Sequence, residues 1–265
     1  MSKELSKRQI REIQLEILES IHSFCQDKSI SYVLWAGSLI GAIRHNGYIP
    51  WDDDIDIAMP RPDFNRFMNE YRNRRFVANC ITKDQEFCFT LGKVYDTQTT
   101  LIENKYYRSN IGVNVDIFPL DGLPDDNKKR VLHSKRIMRY KALIELKQMR
   151  FRKGRGIWKN LFLLVCKLIL IPISYRKLTL NMNRLVCKYS FENCNIVANL
   201  AWGIGEKESI PKELIKDRDL KDFEGKQFYI PHNYDEVLRN RYGDYLVLPP
   251  ESQRISHHGF KVYYK

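Results

Sequence analysis

The six cysteines, Cys25, Cys80, Cys88, Cys166, Cys187 and Cys194, include no C-x-x-C pair, which argues against a zinc ribbon or a redox dithiol. The opening residues, MSKELSKRQIREIQ, contain no apolar signal core and read instead as an amphipathic helix. These two absences predict a cytoplasmic protein with reduced thiols. The chain also has no internal repeat, no low-complexity linker and no RNA-binding motif. It is not short of aromatic residues, with 15 Tyr, 13 Phe and 4 Trp, and so lacks the composition of a disordered chain. Its 265 residues suffice for one large or two small domains with a substantial core. What it has in excess is positive charge, +12 net, which favours anionic partners. The bases concentrate between Lys128 and Arg184, whereas an acidic cluster lies near Asp52.

Ser6 and Gln9 have capping-box spacing, and Ile10, Ile13, Ile17, Ile21 and Phe24 follow at helical intervals, which predicts a core-facing helix. Ser31–Ala36 reads as a strand, Leu39–His45 as a short helix, and Asn46-Gly47 as a turn. Asp54–Met59 reads as a strand and Pro62–Tyr71 as a helix with proline in its first turn. Phe87–Tyr95 and Ile111–Phe118 are further strands. Residues from about 125 to 190 are mainly helical, and Asn233 with Glu236 is a second capping box, opening a helix to about Arg241. The expected fold is α+β: a mixed sheet flanked by helices over residues 1–124, then a mostly helical region, 125–265, whose tail folds back on the first half.

Asp52, Asp53, Asp54 and Asp56 lie within five residues and repel one another unless a cation or hydrogen bonds compensate. In a strand, Asp54 and Asp56 share one face while Ile55 and Ile57 enter the core. Paired carboxylates suit hard divalent cations. A calcium loop is excluded, because its required Gly and Glu positions, counted from Asp52, hold Ile57 and Asp63. Upstream, Gly37-Ser38 sits where a strand meets a helix start, and backbone N–H groups there can hold phosphate oxygens. Asp116, a single acid in the apolar run GVNVDIF, is the candidate third ligand, since a buried Asp is costly unless paired or metal-bound.

Gly37-Ser38, Asp54-x-Asp56 and Asp116 together resemble the nucleotidyltransferase fold. The stretch AGSLIGAIRHNGYIPWDDDIDI, with LGKVYDTQTTLIE, NVDIFPLDG, YGDYLVLPP and the terminal SHH, resembles the LicD family of phosphotransferases. The resemblance implies Mg²⁺-dependent transfer, by one or two ions with Mn²⁺ as a substitute, of a phospho-alcohol from its CDP conjugate. The typical donor is CDP-choline. The acceptor is a hydroxyl of a surface glycan: lipopolysaccharide, teichoic acid or capsule, free or lipid-linked. It also implies metal binding by Asp54, Asp56 and Asp116, and phosphate binding by the Gly37-Ser38 turn. Asp116 or Asp53 is the candidate base for the acceptor hydroxyl. Arg44, Lys93, His257 and His258 are candidate phosphate or proton contacts, and Trp51, with Tyr48, Tyr95 and Trp202, candidate faces for a quaternary ammonium. Related chemistries on the same scaffold are transfer of glycerol phosphate, ribitol phosphate or a nucleotide. A basic nucleic-acid module is disfavoured, because the Asp cluster repels a phosphate backbone in the absence of metal. So is a catalytically inactive membrane scaffold, because all three acids are intact.

Ile157–Ile173, IWKNLFLLVCKLILIPI, is strongly apolar but too short and too interrupted to span a bilayer. It reads either as a buried core helix or as an interfacial one, with the basic run RFRKGR just before it. The second reading implies peripheral contact with an anionic membrane on its cytoplasmic face.

Overall fold

Ser6 and Gln9 form the reciprocal cap their spacing predicts. The Ser6 hydroxyl accepts from the Gln9 amide at 3.3 Å, and the Gln9 side chain accepts from the Ser6 amide at 2.9 Å. This opens α1 (Lys7–Lys28), which buries Ile13, Ile17 and Ile21 as expected. The structure, a computed structural model, describes residues 3–87, 89–103, 111–151, 154, 156–201, 208–255 and 260–265.

The central sheet contains β1 (Val33–Leu34), β2 (Asp56–Pro60), β3 (Phe76–Asn79), β4 (Gly92–Asp96), β6 (Asn114–Leu123), β7 (Ile196–Ala198) and β8 (Ile210–Pro211). The order is β1-β2-β6-β4-β3, with β7 added to β6 and β8 to β7. The β2–β6 pair is parallel and the remaining pairs are antiparallel. Helix α2 (Ala36–His45) follows β1, and α3 (Arg61–Glu70) follows β2.

The basic region forms α4 (Asn127–Gln148), α5 (Ile157–Ile169) and α6 (Tyr175–Val186). Beyond residue 186 the chain is more strand-rich than its sequence suggests. After β7 and β8 come a hairpin of β9 (Arg218–Phe223) and β10 (Lys226–Pro231), then α7 (Tyr234–Tyr242). Asn233 caps α7 without a side-chain bond, so the expected capping box is not formed. The tail does fold back: β11 (Phe260–Tyr264) pairs with β5 (Thr99–Glu103), and the Leu5 amide donates to Val262.

The main apolar core draws on residues from Leu5 to Val262, while a smaller cluster of Leu123, Ile137, Met182, Val186, Ala198 and Leu200 ties α4 and α6 to the sheet. Among the described residues no helix is long and apolar enough to cross a membrane.

Candidate active site

The acidic cluster is bent toward the sheet by its neighbours. Strand β2 starts at Asp56, later than the sequence suggests, so Asp54 sits in the approach to the strand rather than inside it. Arg11 of α1 donates to the carbonyls of Ile49 and Asp52, at 3.2 and 2.7 Å, and Gln14 donates to that of Asp53 at 2.9 Å. These bonds to backbone oxygens fix the loop. Ile55 and Ile57 are fully buried, as their alternation predicts.

Parallel register sets Asp56 directly opposite Asp116, and antiparallel register sets Lys93 opposite Asp116 on the other side. The Lys93 ammonium is paired with Asp116 Oδ1, to which Asn114 also donates at 2.7 Å. Asp52, Asp53, Asp54, Asp56 and Asp116 all line one cavity of about 270 Å³ with Gly37, Lys93, Asn114, Asn199, Arg241 and Tyr242. Desolvation pushes the Asp56 carboxyl well above the usual carboxylate range, and the charges of Asp54, Asp116 and Asp52 push it the same way against Lys93.

That field is what a hard cation would relieve, and the donors are all oxygens. Ligand atoms of Asp52, Asp53 and Asp54 already lie within 4.8 Å of one another, the only such group among the described residues. Asp54 therefore belongs both to this loop trio and to the set Asp54, Asp56 and Asp116 expected from the sequence.

Gly37 and Ser38, expected together to hold phosphate, are placed differently. Gly37 lines the cavity, and a Cβ there would stand 2.5 Å from Asp52 Oδ2. Ser38 is buried behind it, outside the cavity wall, and its hydroxyl accepts from the Asp56 amide at 2.8 Å. It positions the acid. Helix α2 begins three residues earlier than predicted, with Ala36 in the left-handed region at φ 46°.

Three aromatic or basic candidates lie elsewhere. Arg44 donates to the Tyr245 carbonyl at 2.8 Å, linking α2 to the C-terminal segment. Trp51 is drawn outward between His45 and Arg254. Tyr48 is core, packed on Phe223 with its hydroxyl donating to Gln14 at 3.0 Å. Neither these nor Tyr95 lines the cavity. His257, His258 and Trp202 lie outside the described residues.

The rings that do line the cavity are Phe89, Phe118, Tyr242 and Phe260. Lys93 Nζ already stands 5.0 Å from the Phe89 ring centroid. The Tyr242 phenol is pushed up to about 12, by desolvation first and then by Asp56, Glu208 and Asp52 against Arg241, so it remains a hydroxyl donor. Arg241 is held 3.2 Å from the buried Glu208 carboxylate. The sequence reading missed Asn114, Asn199, Arg241 and these rings, although Asn114 and Tyr242 open the motifs NVDIFPLDG and YGDYLVLPP.

Comparison with known proteins assigns a family. Residues 29–157 match the family model described as LicD/FKTN/FKRP, nucleotidyltransferase domain. The chain is 32% identical over 273 aligned residues to the lipopolysaccharide cholinephosphotransferase LicD of Haemophilus influenzae, covering 98% of this chain and 99% of that one. It is also 38% identical over 48 residues to an uncharacterized protein of Rickettsia prowazekii, covering 18% of each chain. With a match running nearly end to end, and the acids gathered on a mixed sheet, the chain belongs to the LicD family.

Proposed function

We propose that this protein is a cholinephosphotransferase that moves phosphocholine from CDP-choline to a hydroxyl of lipopolysaccharide, with Mg²⁺ as cofactor. The observation that carries this reading is the placement of Asp56 opposite Asp116, with Asp54 on the same cavity, in a chain aligned end to end with a lipopolysaccharide cholinephosphotransferase.

In this mechanism the acceptor oxygen attacks the phosphorus bearing choline, the bond from that phosphorus to the CMP oxygen breaks, and CMP leaves with the electron pair. Asp54, Asp56 and Asp116 would hold Mg²⁺, which supplies neutralisation of the charge developing on the pyrophosphate oxygens. Arg241, braced by Glu208, binds the CMP phosphate. Lys93 balances Asp116 and, lining the cavity, can turn toward a phosphate. Asp53 or Asp116 accepts the proton of the attacking hydroxyl. Asn114 and Asn199 orient polar atoms of the substrates.

The choline group fits against Phe89, Tyr242 and Phe260, because aromatic faces attract a quaternary ammonium. The test is to offer purified protein Mg²⁺, lipopolysaccharide lacking phosphocholine, and CDP-choline, CDP-glycerol or CDP-ribitol in turn, and to identify products by mass spectrometry. Phosphocholine on the glycan supports the reading; transfer only from another donor overturns the headgroup assignment.

A second result is expected from the ring variants Phe89→Leu, Tyr242→Leu and Phe260→Leu. Combined in pairs, they raise KM for CDP-choline by about 5- to 30-fold, the size of two partly exposed cation–π contacts of about 0.5–1 kcal/mol each. Turnover of any CDP-glycerol used by the enzyme changes much less. Equal losses on both donors would rule out a ring-lined choline site.

A further inference from the structure

The surface of α5 has the wrong polarity for water. Ile157, Trp158, Phe162, Leu168, Ile169 and Ile171 are 79%, 78%, 68%, 55%, 68% and 69% exposed, and Leu163 is the buried residue of the helix. A helix apolar on nearly every side belongs in a protein interior or in lipid, and this one is only partly covered by its own chain.

The lysine that interrupts the apolar run does not break that surface. Lys167 Nζ turns inward and donates to the Lys147 carbonyl at 2.9 Å. Lys147 Nζ in turn donates to the Leu170 carbonyl at 2.7 Å and to that of Ile173. The two ammonium groups cap backbone oxygens at the α4–α5 contact, and the outward side is left to hydrocarbon.

The surrounding charge selects the occupant. Between Lys128 and Lys188 the sequence has eighteen Lys and Arg and one acid, Glu145, so this segment holds more than the whole net charge of the chain. A second copy of the protein docking face to face would bring that same basic region against itself. An anionic bilayer offers both complements: hydrocarbon for the rings and aliphatic chains, and phosphate for the bases. With 13 residues, α5 is too short to cross.

We propose that α5 is an interfacial membrane helix, lying in the headgroup boundary of an anionic bilayer with Trp158 and Phe162 inserted and the flanking bases on lipid phosphates. A second hollow, of about 60 Å³, lies against α4 and α6 and shares Phe89 and Leu91 with the acidic cavity. Helix α4, on which α5 packs, lines this hollow and so links the proposed membrane face to the edge of the acidic cavity, which suits an acceptor carried by a lipid. That last step rests on the transferase reading; membrane binding does not.

Flotation with vesicles tests the binding without any turnover. The wild type is expected to float with equimolar phosphatidylglycerol–phosphatidylcholine vesicles at low salt. It should stay behind with phosphatidylcholine alone, and be largely released at about 0.5 M salt, where exposed charges are screened. Arg150, Arg152, Lys153 and Arg155 all changed to Gln should weaken binding at least about tenfold. So should Trp158→Glu with Phe162→Glu, whose native side chains are exposed and can change without touching the core. Trp158→Phe should bind as wild type but lose the blue shift in emission that vesicles induce. The proposal fails if wild type does not float with anionic vesicles at low salt, or if both charge and apolar variants float equally well. It also fails if mass measurement shows a dimer that Trp158→Glu with Phe162→Glu dissociates while vesicles bind nothing.

Discussion

Asp54→Asn and Asp56→Asn each lower kcat by at least about a thousandfold at saturating substrate, the equivalent of about 4 kcal/mol of lost transition-state stabilisation. The expectation follows from position. Both carboxylates face the cavity, and Asp56 is pinned there by the Ser38 hydroxyl on its amide and by its place opposite Asp116. Asn keeps the shape and removes the charge that would hold the proposed cation. The fold should survive: five carboxylates share the cavity, and removing one charge relieves repulsion among them. Thermal unfolding without metal is therefore expected at or above the wild-type temperature. Added Mg²⁺ should raise the unfolding temperature of wild type, because a ligand that binds only the folded state stabilises it, and should raise that of the variants far less. Activity within about tenfold of wild type in either variant, or an equal Mg²⁺ effect in all three proteins, would remove these acids from the metal site.

The parts of the site that the sequence revealed are those encoded locally. The D-x-D spacing, the alternating Ile55 and Ile57 and the Gly-Ser turn all lie within 21 residues, and each carries its own signal. Asp116 was legible as an acid in an apolar strand, but its pairing with Lys93 depends on strand register, which a single strand does not announce. The rings depended on more distant events. Phe260 reaches the cavity because β11 pairs with β5, and Tyr242 because α7 ends beside the acids. Trp51, one residue from the acidic run, was the natural choline face in the sequence, yet His45 and Arg254 hold it outside. Proximity along the chain was a poor guide there, since Asp52, Asp53 and Asp54 line the cavity while the adjacent Trp51 does not.

Pro119 shows how register also misled the strand boundary. A proline in a central strand removes a ladder hydrogen bond, so the strand was expected to stop at Phe118. Instead β6 runs to Leu123. Its β4 partner ends at Ile117 and its β7 partner begins at Asp121, so Pro119 falls in the gap where no neighbour needs its missing N–H. On the other side β2 pairs without interruption from Asp56 to Pro60.

The end of that β2–β6 ladder is closed by a clamp whose loss has the second large effect. Arg61, the first residue of α3, donates to both oxygens of Asp121, at 2.6 and 2.7 Å, immediately beyond the paired residues Pro60 and Leu120. The Asp121 side chain is 1% exposed and that of Arg61 12%. The carboxylate holds the guanidinium charged against the desolvation it suffers there. Asp121→Asn leaves a buried guanidinium without its counter-charge and should cost about 3–5 kcal/mol of stability. For a chain of this size that lowers the unfolding temperature by about 10 °C. Arg61→Met leaves the converse unpaired charge and should cost a similar amount. The double variant Arg61→Met with Asp121→Leu, which removes both charges, should recover most of the loss, because a buried pair exchanged for apolar groups of like volume is nearly neutral. A strongly negative coupling between the sites would appear in the double-mutant cycle. The conserved volume should also keep the β2–β6 register, and with it Asp56 opposite Asp116, so transferase activity well below the unfolding temperature should follow the double variant's stability rather than vanish. If Asp121→Asn unfolds within about 2 °C of wild type, the pair is not the clamp of this ladder.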